Sequence, residues 1–289
     1  MILRPVGLPD PIAGLDRTAV IGVLNVTPDS FSDGGYYLNP ASAIAHGLHL
    51  WHQGADLGDV GGESTRPGAT RVPVEQECAR VLPVVVGLVA LGVPVSIDTM
   101  RATTAEAAVR EGACMVNDVS GGLADDAMYS TVAALAVPYV AMHWRGHSER
   151  MNDLATYGDV VTDVIAELLQ RVDAAVSAGM DPASIVIDPG LGFAKDSDHN
   201  WQLLRGLDRL LAVGPPLLIG ASRKRFLGAL LADESGEPRP MSERDAATDA
   251  ITAVAATRGV WAVRVHDVRG SKDAVRVAAA WTQGRGDSG

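Results

Sequence analysis

A short apolar, β-branched run that ends abruptly in small polar or charged residues, followed by a segment of helical periodicity, occurs eight times along this chain. Strands covered on both faces read as continuous apolar runs, because one set of side chains meets helices and the other meets the barrel or sheet interior. The first instance, Ala19–Leu24, gives way to Asn25-Val26-Thr27-Pro28-Asp29-Ser30-Phe31-Ser32-Asp33-Gly34-Gly35. A plain connection in an α/β unit needs about 2–6 residues. This loop is longer and far more polar. The carboxyl ends of strands are where α/β proteins place their chemistry.

The same event can be followed to the end of the chain. Asn39-Pro40 reads as N-cap and first helical residue, with Ile44, Leu48 and Trp51 at helical spacing and Gly54 as the stop. The strand Ala55–Val60 ends in a second polar loop, Gly61-Gly62-Glu63-Ser64-Thr65-Arg66-Pro67-Gly68. Val74, Val81, Val85 and Leu88 mark a helix that Pro83 is expected to kink or split. The third strand is Val93–Asp98, and Thr103 with Glu106 reads as a capping box. Met115–Asp118 and Val137–His143 are the fourth and fifth strands, separated by a short helix around Ala127–Leu135. A polar loop then runs to Tyr157, before a helix with Val160, Val164, Leu168, Val172 and Val176 on one face. Ser184–Asp188, Pro216–Gly220 and Val260–Val265 complete the strands. Helices are expected over Asn200–Leu211, after Ser222-Arg223-Lys224, over Ser242–Arg258, and from a Ser271 cap to about Trp281. The Glu-, Ser-, Gly- and Pro-containing stretch Asp233–Met241 reads as an exposed insertion, and Gln283–Gly289 as a disordered tail.

Eight strands alternating with helices predict an α/β fold, a (β/α)8 TIM barrel forming a single domain over residues 1–289. A doubly wound open sheet is the alternative, but no G-x-G-x-x-G follows the first strand. The chain is long enough for one full core. A net charge of -11 argues against nucleic-acid or membrane-surface binding. Cys78 and Cys114 are too few for a disulfide scaffold and fit a reduced, cytoplasmic protein. No signal peptide and no membrane-spanning apolar run are evident.

A barrel would bring the strand ends to one mouth. They supply Asn25, Glu63/Thr65/Arg66, Asp98, Asn117/Asp118, His143, Asp188, Ser222/Arg223/Lys224 and Arg264/His266/Asp267. A lone Asp after a strand is usually a turn or cap residue, and Asp118 and Asp267 read equally well that way. A single Asp–Lys pair reads equally well as a buried ion pair. Asp98, Asn117, Asp188 and Lys224 from four strand ends are better suited to a flat heterocycle, whose ring N–H and NH2 groups carboxylates accept and Asn matches both ways. Arg264 and His266 alternate on the last strand and point to one side. With Arg269 and Lys272 near a helix start, they occupy the usual phosphate position of such barrels. Asn25 together with phosphate oxygens is a candidate Mg²⁺ ligand. His46, His49 and His52 have no Cys or carboxylate placed to complete a zinc site and read as surface residues.

These segments match a known family. Gly22–Gly35 and Asp59–Gly68 resemble the two signatures of the dihydropteroate synthases of actinobacterial type, the folate-pathway enzymes. Ser96-Ile97-Asp98-Thr99, Val116–Gly122, Asp188-Pro189-Gly190-Leu191-Gly192-Phe193, Ser222-Arg223-Lys224 and Arg264-Val265-His266-Asp267-Val268 extend the resemblance from about Val20 to Trp281. It implies a homodimeric transferase that condenses 6-hydroxymethyl-7,8-dihydropterin diphosphate with 4-aminobenzoate and is a sulfonamide target. It further implies that Asp98, Asn117, Asp188 and Lys224 hold the pterin. Arg264 and His266 would hold the diphosphate with Asn25 and Mg²⁺, and Asp98, Lys224, Arg264 and His266 would be the catalytic set. Thr65, Arg66 and Pro67 would close over the reactants. Phe193 would form part of the aminobenzoate wall. Asp29, Phe31 and Asp33 would ride on a loop that orders over bound substrate.

Two positions depart from the pattern. Gly58 stands where a larger apolar residue is expected in the second strand. Arg225 follows Lys224 where some relatives carry a small polar residue, and it is a candidate for the aminobenzoate carboxylate. Two rival readings are a non-catalytic pterin-binding paralogue or methyltransferase domain, and a Schiff-base aldolase using Lys224. Intact first and second loops speak against the former. Neighbouring Asp residues, expected to keep Lys224 charged, speak against the latter.

Overall fold

The computed structural model describes residues 2–27, 39–64, 71–146 and 154–283. Its strands are β1 (Ala19–Asn25), β2 (Leu57–Gly61), β3 (Val95–Asp98), β4 (Met115–Asp118), β5 (Tyr139–Met142), β6 (Ile185–Asp188), β7 (Leu218–Ile219) and β8 (Ala262–Val265). All pair in parallel, in the order β6-β5-β4-β3-β2-β1-β8-β7. The ring closes where Ile187 bridges Leu217 and its N–H donates to the Pro216 carbonyl at 2.9 Å. Closure distinguishes the expected barrel from an open sheet. Gly58 does not interrupt β2, which pairs on both sides of it.

The interior is layered. Near the amino ends of the strands, Ala19, Ile21, Leu57, Met115, Val140, Val186, Leu218 and Ala262 form an apolar plug, closed below by Leu8 and by Ile12 of helix α1 (Asp10–Ala13). Two larger apolar clusters lie between the strands and the surrounding helices. Side chains alternate along a strand, so Asp59, two residues beyond Leu57, faces the same interior one layer higher. Register then sets Gly61, Asp98 and Asn117 side by side at the mouth.

Helix α2 (Pro40–His52) begins as expected, with the Asn39 side chain accepting from Ala41 N at 3.0 Å. Helix α3 (Val74–Ala90) is not split by Pro83. Val81, Val84, Val85 and Leu88 on either side of it are fully buried, and about 1.5–3 kcal/mol each outweighs the roughly 3 kcal/mol cost of an internal proline. The capping box at Thr103 and Glu106 does not form, because helix α4 (Ala102–Arg110) starts too early. Its first N–H, on Ala102, is instead satisfied by Asp125 Oδ2 at 2.8 Å. Helix α5 is Met128–Leu135, and helix α6 (Val160–Ser177) is capped by Asp159. The helix expected over Asn200–Leu211 is two, α7 (Ser197–Arg205) and α8 (Leu207–Leu211), broken at Gly206. There the backbone approaches Val161 so closely that a β-carbon would lie 2.8 Å from Cγ2. Helices α9 (Arg225–Leu230), α10 (Asp245–Thr257) and α11 (Val268–Gln283) complete the ring. Ser271 is not the cap of α11. It lies inside the first turn, and its hydroxyl donates to Asp249 Oδ1 at 2.8 Å, tying α11 to α10. No described helix is long and apolar enough to cross a membrane.

Candidate active site

Arg264, on β8, organises the mouth. Its Nε donates to Asp59 Oδ2 at 2.5 Å and its Nη2 to Asp98 Oδ2 at 2.7 Å. Asn117 Nδ2 donates to the same Asp59 oxygen at 3.0 Å. Side chains from β2, β3, β4 and β8 are thereby locked together across the barrel. Three of the four were expected at the site. Asp59 was not, although its alternation with Gly61 along β2 already placed it inward.

On the other side, Asp188 ends β6 and its Oδ1 accepts from Gly190 N–H at 2.7 Å. The following turn is tight. Gly190 has φ +65°, and a β-carbon there would collide with the His143 carbonyl. Phe193 packs against Met100, Val119, Met142 and Trp144, and Lys224 Nζ lies 4.3 Å from its ring centre. A lysine absent from the sequence-based site, Lys195, is buried beneath this turn. Its ammonium donates to the Gly190 and Phe193 carbonyls at 3.1 and 2.9 Å.

Lys224 is aimed by the residue before it. Arg223 adopts a left-handed conformation, φ 57°, at a cost of roughly 1–2 kcal/mol. A two-pronged pair with Asp245, 2.7 Å at each contact, offsets that cost, and Arg244 Nη1 donates to the Arg223 carbonyl at 3.0 Å. His266 lies just past β8. Ser222 Oγ accepts from its backbone N–H at 3.1 Å and lies 2.9 Å from its Nδ1.

Burial governs the charges. It raises Asp188 to about 6, against the pull of Gly190 N–H and Lys224. It lowers Lys224 to about 8, although Asp188 and Asp98 oppose the change. Loss of water outweighs two nearby anions, yet at about 8 Lys224 is still mostly charged at neutral pH. Burial also raises Asp98, with Arg264 opposing and Asp59, Glu77 and Asp118 adding to the shift. For Arg264 burial acts downward, but Asp59 and Asp98 more than reverse it.

Other expected residues are placed as follows. Asn25 sits half-buried at the end of β1, in register with Gly61. Asp118 is a turn residue, accepting from Ser120 N, Gly122 N and Tyr139 Oη at 2.8 Å each. Lys272 is not at the mouth: its Nζ pairs with Asp56 Oδ1 at 3.1 Å, at the amino end of β2. Arg269 is exposed. The His46 and His49 rings stack at 6.4 Å. His199 closes a capping box with Asp196 on α7. Asp29, Phe31, Asp33, Thr65, Arg66 and Pro67 lie outside the described residues.

A closed parallel barrel that gathers buried carboxylates, an amide, a lysine and an arginine at its mouth is that of a pterin-binding enzyme, and the family model of that description matches residues 21–266. A dihydropteroate synthase from Mycobacterium leprae is 58% identical over 263 residues, covering 91% of this chain and 93% of its own. A Xanthomonas albilineans dihydropteroate synthase solved with 4-aminobenzoic acid is 46% identical, with a TM-score of 0.84 over 94% of each chain. The enzyme from the same organism in complex with 7,8-dihydropteroate is 42% identical, with a TM-score of 0.81 over 95% of this chain and 98% of that one. The chain belongs to the dihydropteroate synthase family, transferases of folate biosynthesis.

Proposed function

We propose that the chain joins 6-hydroxymethyl-7,8-dihydropterin diphosphate to 4-aminobenzoate, forming 7,8-dihydropteroate and releasing diphosphate. The observation that carries this reading is the convergence of Asp98, Asn117, Asp188 and Lys224 with Arg264 at one barrel mouth. Asp98, Asn117 and Asp188 offer acceptors and an amide to the amino-amide edge of the pterin, and Lys224 offers a donor. The CH2 group that loses diphosphate develops positive charge, which the electron-rich ring delocalises. The protein's part is electrostatic: Asp98 favours the cationic ring, while Arg264 and His266 receive the departing anion. The weakly basic aromatic amine attacks the CH2 carbon as its bond to oxygen breaks, so no strong general base is needed. Phe193, held against Lys224, would form a wall for the aminobenzoate ring, and sulfonamides would compete there.

Among the described residues, no three His, Cys, Asp or Glu side chains gather as a metal cage. The amide of Asn25 at the end of β1 fits Mg²⁺, an oxygen-seeking ion that keeps several waters and takes substrate phosphates in place of a full protein shell. Bound there with the diphosphate, it would supply charge neutralisation to the leaving group. We further infer a single pterin-binding domain working in the cytoplasm, and a homodimer. Exposed apolar residues on the last two helices, Val254 at 60%, Val277 at 64% and Trp281 at 69% exposure, are consistent with self-association, which sedimentation would test.

The decisive assay is diphosphate release that requires both the dihydropterin diphosphate and 4-aminobenzoate. Pterin binding without such release would favour a non-catalytic pterin-binding paralogue. Borohydride trapping of a carbonyl compound on Lys224 would favour an aldolase.

A further inference from the structure

We propose that Asp59 is a positioning residue for the reaction, a buried carboxylate whose single oxygen aims both Arg264 and Asn117. This rests on the reading of the site as a pterin diphosphate site. The Asp59 side chain is completely buried, and a carboxylate removed from water costs several kcal/mol unless it is paired. Oδ2 takes Arg264 Nε at 2.5 Å and Asn117 Nδ2 at 3.0 Å. Oδ1 has no hydrogen-bond partner among the described residues. A carboxylate kept for the scaffold would be expected to have both oxygens satisfied. The side-chain partners of Asp59 are instead two residues of the site.

The two carboxylates on Arg264 differ in what they face. Asp98, at the mouth, holds Nη2 at 2.7 Å and is the group that a pterin ring would engage. When Asp98 turns to accept from the ring, Asp59 still holds Nε. Arg264 is then anchored by one prong, with its Nη donors released toward the diphosphate. The same Asp59 oxygen fixes the Asn117 amide with Nδ2 inward, so that Oδ1 is left for a donor of the heterocycle.

The test uses the full-length chain and the isosteric variant Asp59→Asn, with steady-state kinetics for both substrates. Calorimetric binding of the dihydropterin diphosphate is compared with binding of the parent 6-hydroxymethyl alcohol. We expect kcat/KM for the diphosphate to fall about 10–100-fold, as when an orienting partner is lost. KM for 4-aminobenzoate should stay within about twofold, since Asp59 has no described contact on the Phe193 side. Affinity for the diphosphate should fall more than affinity for the alcohol. In an Arg264→Ala background the added substitution should cost little, because the aimed group is gone. Asp59→Ser carries the same measurements if the isostere does not fold.

The proposal is overturned if the variant turns over like the parent chain. It is equally overturned if both pterins and 4-aminobenzoate weaken alike, or if the Asp59 and Arg264 effects simply add. A parent chain that binds neither pterin overturns the reading of the site itself. A parent that binds both but makes no product leaves the binding comparison to decide the role of Asp59.

Discussion

Lys195 Nζ lies 2.9 Å from Nδ1 of His143, and both side chains are buried. The ammonium donates to that nitrogen and to two carbonyls of the turn that carries Phe193. His143 Nε2 in turn reaches Glu167 Oε2 at 3.0 Å, and Arg145 Nη2 pairs with Glu167 Oε1 at 2.5 Å. Tyr157, beneath Arg145, donates to the Ala194 carbonyl at 2.9 Å. The turn after β6 is thus held to the end of β5, to the middle of α6 and to the segment that precedes it. Replacing Lys195 with Met should strand the Phe193 carbonyl, at about 1–3 kcal/mol, and leave the Gly190 carbonyl with only the Phe193 N–H. We expect a lower thermal midpoint and a KM for 4-aminobenzoate raised several-fold more than that for the pterin diphosphate. Equal changes in the two KM values would refute a specific role in holding Phe193.

His143 gives an acid limb to stability. Burial first, then Lys195, holds its imidazole at about 4, below the ordinary 6.5. The unfolded chain takes up its proton as pH falls through 6.5, and the folded chain only near 4. Stability from this group is therefore complete above 6.5 and lost as pH falls between those values, on the order of 3 kcal/mol. Glu167, drawn down to about 2 with His143 and Arg145 as partners against the effect of burial, adds a loss in the same direction at lower pH. Urea midpoints from pH 8 to 4 should decline in the parent chain, and less steeply in His143→Gln between pH 6.5 and 4.

The pH dependence of kcat/KM for the pterin should be bell-shaped, because this parameter reports the free enzyme. Asp188 must be ionised to accept and Lys224 protonated to donate. Activity should fall toward and below about 6 as Asp188, and with it Asp98, which burial also raises, take up protons, and above about 8 as Lys224 loses its own. Asp188→Asn should shrink the acid limb to the part that Asp98 carries and move the alkaline limb to lower pH, because Lys224 loses an anion that holds its proton. An acid limb unchanged in that variant would transfer it to another group.

Arg264→Ala should lower kcat/KM about 10²–10³-fold, the usual loss for one donor at developing charge. It also leaves Asp59 and Asp98 without their shared cation, a change worth about 3–5 kcal/mol when a buried pair is broken. Asp98, already raised by burial, then loses the opposing pull of Arg264 and holds its proton still more tightly in the folded state than in the unfolded one. Relative to the parent, this variant should gain stability as pH falls toward 5, which paired thermal melts would show. Activity near that of the parent would remove Arg264 from the catalytic set.

Arg225 is exposed at the first residue of α9, next in the chain to Lys224. We expect Arg225→Ala to raise KM for 4-aminobenzoate by about 3–10-fold, the loss of a partly solvated charge pair, and to leave the pterin KM unaltered. A shift in both would mean that the substitution disturbs Lys224 rather than a carboxylate contact.

The barrel was legible because its rule is local. Eight apolar runs, each ending in polar residues, can be counted without knowing what they touch. The errors fell where a distant partner intervened. Asp125 took the Ala102 N–H and let the helix start ahead of Thr103, Asp249 claimed Ser271, and Val161 pressed against Gly206 where one expected helix is two. Lys272 looked like a phosphate ligand by its place after β8, and Asp56 drew it away.

By itself, the sequence determined which residues stand at the strand ends, and so that Asp98, Asn117, Asp188, Lys224 and Arg264 share one mouth. Strand alternation and chain order alone set those facts. Only the tertiary structure decided how they are joined: that Arg264 is shared between Asp59 and Asp98, and that Lys195 and His143 underpin the Phe193 turn. It also decided that Lys224 lies near 8 and Asp188 near 6. Hydrogen-bond partners 166 or 205 residues apart, as Arg264 is from Asp98 and Asp59, leave no local pattern to read. The loss of water that moves a pKa exists only once the chain has closed around the group.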